Sequence, residues 1–183
     1  MPPGTAGEMV IRPRTPGTMF RGYWNKPEAT LEAIRNLWHH TGDTVTMDRQ
    51  GFITFIDRKK DALRRRGENV SAFELESTIQ QHPAVATAAV CAVPSAMGED
   101  DIKVCLVLHE GRTLEMKALF DFLLPKIPYF AMPRYVQIRA SLPLTATGKV
   151  QKQILRDEGI AIDVVDLQKL GLVVSRDARR SLS

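Results

Sequence analysis

Asp57-Arg58-Lys59-Lys60-Asp61-Ala62-Leu63-Arg64-Arg65-Arg66-Gly67-Glu68-Asn69-Val70-Ser71-Ala72-Phe73-Glu74-Leu75-Glu76 is the stretch that decides how this chain divides. It follows Phe52-Ile53-Thr54-Phe55-Ile56, which reads as a strand, and it precedes an amphipathic helix. Asp57 to Asp61 holds no apolar side chain, so it reads as a solvated joint and not as core. Gly67 offers a backbone position that can take positive φ or let a ligand pass close by. Ser71 as N-cap with Glu74 three residues on forms a capping box ahead of Leu75 and Ile79. A charge run of this kind is commonly a solvated loop, and a basic cluster is also compatible with a nucleic-acid patch or a nuclear-targeting signal.

Working outward toward the N-terminus, the pattern is β-rich and thin. Glu8–Ile11 reads as a short strand, ended by Pro13 and Pro16-Gly17. Asn25-Lys26-Pro27-Glu28 opens a short helix with Asn25 as cap and Leu31, Ile34 and Leu37 on one side. A hairpin follows Trp38–Asp43, with strands over 44–47 and 52–56 turning through Asp48-Arg49-Gln50-Gly51. So few elements cannot bury a core of their own, so residues 1–57 read as the β-rich end of something larger.

Toward the C-terminus the pattern closes on itself. The Ser71-capped helix runs to about His82, followed by strands over 84–93 and 102–108. A helix over 114–127, bent by Pro125, and a strand over Tyr135–Ile138 complete the set. Helix-strand-strand-helix-strand predicts an α+β fold, a small three-stranded sheet with flanking helices, over residues 58–159. A loop over 140–150 leads to a short helix near 151–157. Residues 160–183, with Arg176, Arg179 and Arg180, read as a loosely docked or frayed tail.

Composition sets the outer limits. The chain has 183 residues, 44% hydrophobic and 25% charged, with net charge +4, which favours anionic ligands without naming one. No apolar run reaches the length of a membrane span and the N-terminus lacks a signal-peptide pattern, so the cytoplasm is the expected location. Cys91 and Cys105 fall in predicted strands and are expected as buried thiols. His39, His40, His82 and His109 have no metal-ligand spacing, so no protein-held metal is expected. The region of Arg64 to Arg66 lacks an interleaved aromatic platform, which argues against a nucleic-acid partner.

Several separated motifs stand in order. They are Gly22–Thr30, then Trp38-His39-His40-Thr41-Gly42-Asp43, then Asp57–Asp61 running into Gly67-Glu68-Asn69-Val70, then Leu142-Pro143 with Thr147-Gly148-Lys149. Together they resemble the C-terminal third of the acyl-adenylate-forming (AMP-binding) enzymes, from about Gly7 to Gly159. Arg65–Ser71 with Phe73-Glu74 looks most like the carnitine and crotonobetaine CoA ligase branch. The resemblance implies acid–thiol ligase chemistry: a carboxylate joins the α-phosphate of ATP, with Mg2+, releasing pyrophosphate, and the acyl group then passes from AMP to the thiol of CoA.

By the same resemblance Asp43 accepts hydrogen bonds from the ribose hydroxyls, and Arg58 reaches the nucleotide. Without it, Asp43 reads as a turn residue after Gly42. Lys149 matches the catalytic lysine, an ammonium able to stabilise charge on the α-phosphate and the attacking carboxylate. As bare sequence it is an exposed turn lysine. Lys60 falls on the hinge about which the small lid domain swings, and Gly67 on the tunnel that receives the pantetheine arm of CoA. Arg64, Arg65 and Arg66 offer charge for CoA phosphates, although the family often has small residues just before that glycine.

The resemblance also implies a large N-terminal domain with a phosphate loop and acyl pocket, which nothing in these residues resembles. The expectation is therefore a lid piece of an acyl-CoA ligase, inactive alone. The alternative is a stand-alone module that complements or regulates a separate AMP-binding domain.

Overall fold

The computed structural model describes residues 2–95 and 98–174. Arg176, Arg179 and Arg180 of the expected tail lie outside the described residues. The chain forms two compact units, Met1–Lys60 and Asp61–Ser183.

In the first unit the ten-residue strand β3 (Trp38–Met47) is the centre. β1 (Gly7–Ile11) and β4 (Ile53–Arg58) pair with it antiparallel, and the two-residue β2 (Ile34–Arg35) returns onto its start. The Trp-His-His-Thr-Gly-Asp motif therefore lies inside a strand, not ahead of one, because Thr41, Thr44, Val45 and Thr46 favour extended backbone. The β3–β4 turn is held by Asp48 Oδ1, which accepts from the amides of Gln50 and Phe52 at 2.9 Å each.

The short helix α1 (Pro27–Ala33) is capped differently from expectation. Lys26 is the N-cap and Asn25 turns at φ 53°. The bonding falls instead to Thr30, whose hydroxyl donates to the Lys26 carbonyl and accepts from the Tyr23 amide, both at 2.9 Å. Its predicted apolar residues Leu31 and Leu37 are exposed, and no residue of α1 is buried.

The second unit begins with a hairpin, β5 (Leu63–Arg65) and β6 (Glu68–Val70), that the sequence pattern did not suggest. Helix α2 (Ala72–Ile79) follows, and the Glu74 amide donates to Ser71 Oγ at 3.2 Å as the capping box requires. β7 (Val85–Pro94) and β8 (Asp100–Leu108) pair antiparallel. Helix α3 (Met116–Leu123) then crosses over to β9 (Tyr135–Ile138), parallel to β8.

This is the expected α+β order, with one addition. β10 (Val165–Asp166) pairs with β9, making the sheet four-stranded, and Leu167 is buried, so this part of the expected tail is docked. Alternation along the strands splits the core into two layers. Ala88, Val90, Ile102, Val104 and Leu106 pack under α2 and α3. Ala89, Cys91 and Cys105 face Leu142 and Leu155, the latter on α4 (Lys152–Asp157).

Candidate functional site

In the first unit the antiparallel register sets Asp43 of β3 directly opposite Arg58 of β4. Arg58 Nε donates to Asp43 Oδ1 at 3.2 Å. Asp43 Oδ2 has no bonding partner among the described residues, and the Arg58 side chain is 59% exposed. The pair thus leaves a carboxylate oxygen and several guanidinium donors for a ligand. The Asp43 amide is oriented by Thr41 Oγ1 at 3.1 Å, and that hydroxyl donates to the Met9 carbonyl of β1.

Beside the pair lies a cavity of about 530 Å³ whose lining includes Tyr23, Lys26, His40, Gly42 and Lys59. Glu8 Oε2 accepts from His40 Nδ1 and from Lys59 Nζ, each at 3.1 Å. The His40 bond, with help from Lys59, holds the Glu8 carboxyl below its ordinary value. Arg35 also approaches His40 Nδ1, at 3.3 Å. That nitrogen cannot donate to Glu8 and accept from Arg35 at once, so the two contacts belong to different tautomers.

The expected joint is only partly solvated. Asp57 is buried, 6% exposed, because it sits within β4 and turns its Oδ1 back onto the Arg58 amide at 2.7 Å. An acidic side chain needs no apolar neighbour to be buried once its oxygens are bonded. Lys59 and Lys60 are exposed.

In the second unit Gly67 and Arg66 form the tip of the β5–β6 hairpin, with φ 79° and 54°. Left-handed geometry at both central residues is what a two-residue hairpin turn with the sheet's natural twist requires. No heavy atom lies within 4 Å of where a Gly67 Cβ would stand, so only its φ argues for glycine.

Three consecutive acids clamp this turn. Glu99 accepts from the Arg66 amide at 2.7 Å and Asp100 from the Arg64 amide at 3.3 Å, while Asp101 pairs with the Arg65 guanidinium at 3.3 Å. Arg65 is buried and also donates to the Met132 carbonyl. Burial presses its guanidinium below the ordinary arginine value against the pull of Asp101. Arg65 is therefore withdrawn from the charge expected to face CoA, whereas Arg64 and Arg66 are exposed.

Lys149 ends a tight loop. The Thr145 amide donates to the Lys149 carbonyl at 2.8 Å, the Gly148 amide to the Thr145 carbonyl at 3.0 Å, and the Lys149 amide to Thr145 Oγ1 at 3.0 Å. Gly148 turns at φ 77°. A Leu144–Val150 bridge closes the loop at its base. Lys149 is exposed and its ammonium makes no hydrogen bond or ion pair among the described residues.

Sequence reasoning missed the groups that hold α4, the helix that follows this loop. Lys103 is wholly buried on β8, and its Nζ donates to the Gly159 carbonyl at 2.6 Å. Lys152 and Arg156 of α4 bind the carboxylates of Asp61 and Glu76. The helical spacing of Lys152 and Arg156 was the available signal. No group of His, Cys, Asp and Glu able to hold a metal occurs among the described residues. No helix among them is long and apolar enough to cross a membrane.

Comparison with known proteins gives a consistent set of relatives. Residues 74–149 match the family described as AMP-binding enzyme C-terminal domain. The crotonobetaine/carnitine–CoA ligase of Salmonella arizonae is 38% identical over 157 residues, covering 85% of this chain and 30% of that relative. The long-chain-fatty-acid–CoA ligase of Escherichia coli O6:H1 is 37% identical over 158 residues, covering 86% of this chain and 28% of its own length.

Among solved structures, ATP-bound MatB from Rhodopseudomonas palustris superposes with a TM-score of 0.75 at 31% identity, covering 86% of this chain and 31% of that one. The anthranilate CoA ligase AuaEII in complex with anthranoyl-AMP gives a TM-score of 0.75 at 30% identity, with 87% and 31% covered. The chain thus spans about 30% of the length of the curated relatives it matches.

Proposed function

The chain carries an AMP-binding enzyme C-terminal domain over residues 74–149, and from that premise we propose that it works as the lysine-bearing lid of an ATP-dependent acyl-CoA ligase. The observation that carries the reading is the solvated Lys149 ammonium at the end of a tight loop within that domain. Two anions, the carboxylate and the α-phosphate, are forced together, and negative charge passes from the first onto the second as the bond to the departing pyrophosphate breaks. A cation on a long stem, not tied up by a protein acceptor, stabilises both without a proton transfer. Asp43 accepts from the ribose hydroxyls through its open oxygen, and Arg58 steadies that carboxylate while its remaining donors reach the nucleotide.

Lys60, exposed at the end of the first unit, serves as the hinge that brings the lid to each half-reaction. In the thioester-forming step the Gly67 turn borders the pantetheine path, with Arg64 and Arg66 available to CoA phosphates. The Mg2+ of the ATP complex would be held by the nucleotide phosphates and a large AMP-binding domain, which would also supply the phosphate loop and the acyl pocket.

A second reading, a separate module that complements such a domain, is favoured by the exposed Phe52, Ile53 and Phe55 of the first unit. Both readings are tested by ATP–pyrophosphate exchange. The purified chain is expected to give negligible exchange, since it spans about 30% of the length of the ligases it matches. Adding a separately expressed large AMP-binding domain of a relative is expected to restore it, and Lys149→Ala to lower the restored rate by about 10²-fold or more. Robust exchange by the chain alone overturns the lid reading, and full restoration with Lys149→Ala overturns the role of the lysine.

A further inference from the structure

Lys60 stands between two neighbours that are each anchored within their own unit. On one side the Lys59 amide donates to the Gly42 carbonyl of β3 at 2.8 Å, and its Nζ pairs with Glu8 of β1 at 3.1 Å. On the other, Asp61 opens the second unit and α4 grips its carboxylate. Arg156 donates to Asp61 Oδ1 at 2.6 Å, and Lys152 Nζ lies 3.9 Å from Oδ2.

Lys152 also donates to Glu76 of α2 at 2.8 Å, and Glu76 accepts the Val90 amide of β7 at 2.6 Å. Burial pushes the Glu76 carboxyl up from its ordinary value while Lys152 pulls it down. The chain Asp61–Lys152–Glu76–Val90 therefore runs from the first residue of the unit to its sheet.

The Lys149 loop depends on the same helix. α4 has six residues and a single buried one, Leu155, and a helix this short does not hold its place by propensity. Its C-terminal end is fixed by Lys103, which donates to the Gly159 carbonyl and, at 3.5 Å, to that of Leu155. At its N-terminal end Lys152 binds Glu76 and lies 3.9 Å from Asp61, whose closer partner is Arg156 one turn further on. The loop before it is exposed from Leu144 to Lys149 and is joined to the helix through Val150 and the Gln151 amide, which donates to the Pro143 carbonyl at 2.8 Å.

We propose that Asp61 is a positioning residue for Lys149, acting through Arg156 and Lys152. The carboxylate beside the hinge and the loop that carries the ammonium are one mechanical piece. A rotation in the joint before Asp61 is then carried toward Lys149 by the ion-paired helix α4. A rotation absorbed at Asp61 instead would break a part-buried ion pair, which costs more than a surface one. The inference rests on the lid reading for its purpose, but its test needs no nucleotide.

The test is amide hydrogen exchange on the 183-residue chain, resolved residue by residue by NMR. The amides of Thr145, Gly148, Lys149 and Gln151 report the loop, and those of β8 report the core. Asp61→Asn is expected to speed exchange at the four loop amides about tenfold with β8 unchanged, the size that follows from losing one part-buried charged partner. The charge-reversed pair Asp61→Arg with Arg156→Asp is expected to recover most of the protection.

Unchanged loop amides in Asp61→Asn, or no recovery in the reversed pair, overturn the proposal. Where Asp61→Asn speeds loop and core alike, Arg156→Lys decides: a faster loop over an unchanged core supports the proposal, and any other pattern overturns it. Failure of pyrophosphate exchange to respond to a large domain removes the lid reading and leaves this anchor standing.

Discussion

Cys91 shows how far a single buried side chain can be carried as a prediction. It faces Leu142 and Leu155 with no exposed surface, and burial, reinforced by the neighbouring Cys105, pushes its thiol from 9.0 up to about 12. The sign follows from which state holds the proton. Above pH 9 the unfolded chain releases it, whereas the folded chain keeps it until about 12, so this contribution to stability is complete below 9.0 and is lost as pH rises through that window. At 1.36 kcal/mol per pH unit, urea denaturation near pH 10.5 is expected to show about 2 kcal/mol less stability than near pH 8 from this group. Cys91→Ala is expected to flatten that alkaline decline while lowering stability at neutral pH. An undiminished decline in the variant would assign it to other groups. Both thiols are free and buried, so neither is expected to react with iodoacetamide until the chain unfolds.

At the scale of elements, α2 was legible because its start is written twice, in the Ser71–Glu74 pair and in the spacing of Leu75 and Ile79. The structure bears out both, with Leu75 and Ile79 buried. Ser71→Ala is expected to cost about 1 kcal/mol and to lower Tm by about 4 °C in a calorimetric scan. No change would mean that the cap bond is replaced by water. The strands β7 and β8 were legible for a related reason, since apolar-rich runs of ten and nine residues survive any local accident.

The β5–β6 hairpin was not legible. Leu63–Arg65 and Glu68–Val70 are three residues each, too short to show a period, and Arg66 takes a left-handed φ that an arginine does not advertise. Its geometry is imposed from outside, by Glu99, Asp100 and Asp101, and those contacts are invisible in a linear pattern. The same holds for β10, two residues long and fixed by its pairing with β9. At the candidate site, the types Asp43, Arg58 and Lys149 could be read from motifs. The ion pair that holds α4 could not, because Asp61 and Arg156 lie 95 residues apart.

For the whole molecule, the two units differ in what holds them. Among the described residues every buried apolar side chain lies at Leu63 or beyond, and in the first unit Asp57 alone is buried. A unit with no apolar interior gains little from the hydrophobic effect and rests on strand pairing and polar bonds such as Glu8 to Lys59 and His40. Its exposed Phe52, Ile53, Phe55 and Met47 along β3 and β4 suit burial against a further sheet or helix layer. The second unit has a core on both faces of its sheet.

Brief trypsin treatment is therefore expected to cut at the exposed Arg58, Lys59 and Lys60 and to degrade the first unit. A resistant piece beginning at Asp61 should remain, identified by its N-terminal sequence. Adding a large AMP-binding domain that binds the chain is expected to slow the loss of the first unit, because burying Phe52 and its neighbours supplies the apolar contact they lack. Equal resistance of both units in the free chain would mean that strand pairing alone stabilises residues 2–60, and the case for a missing apolar partner would fall with it.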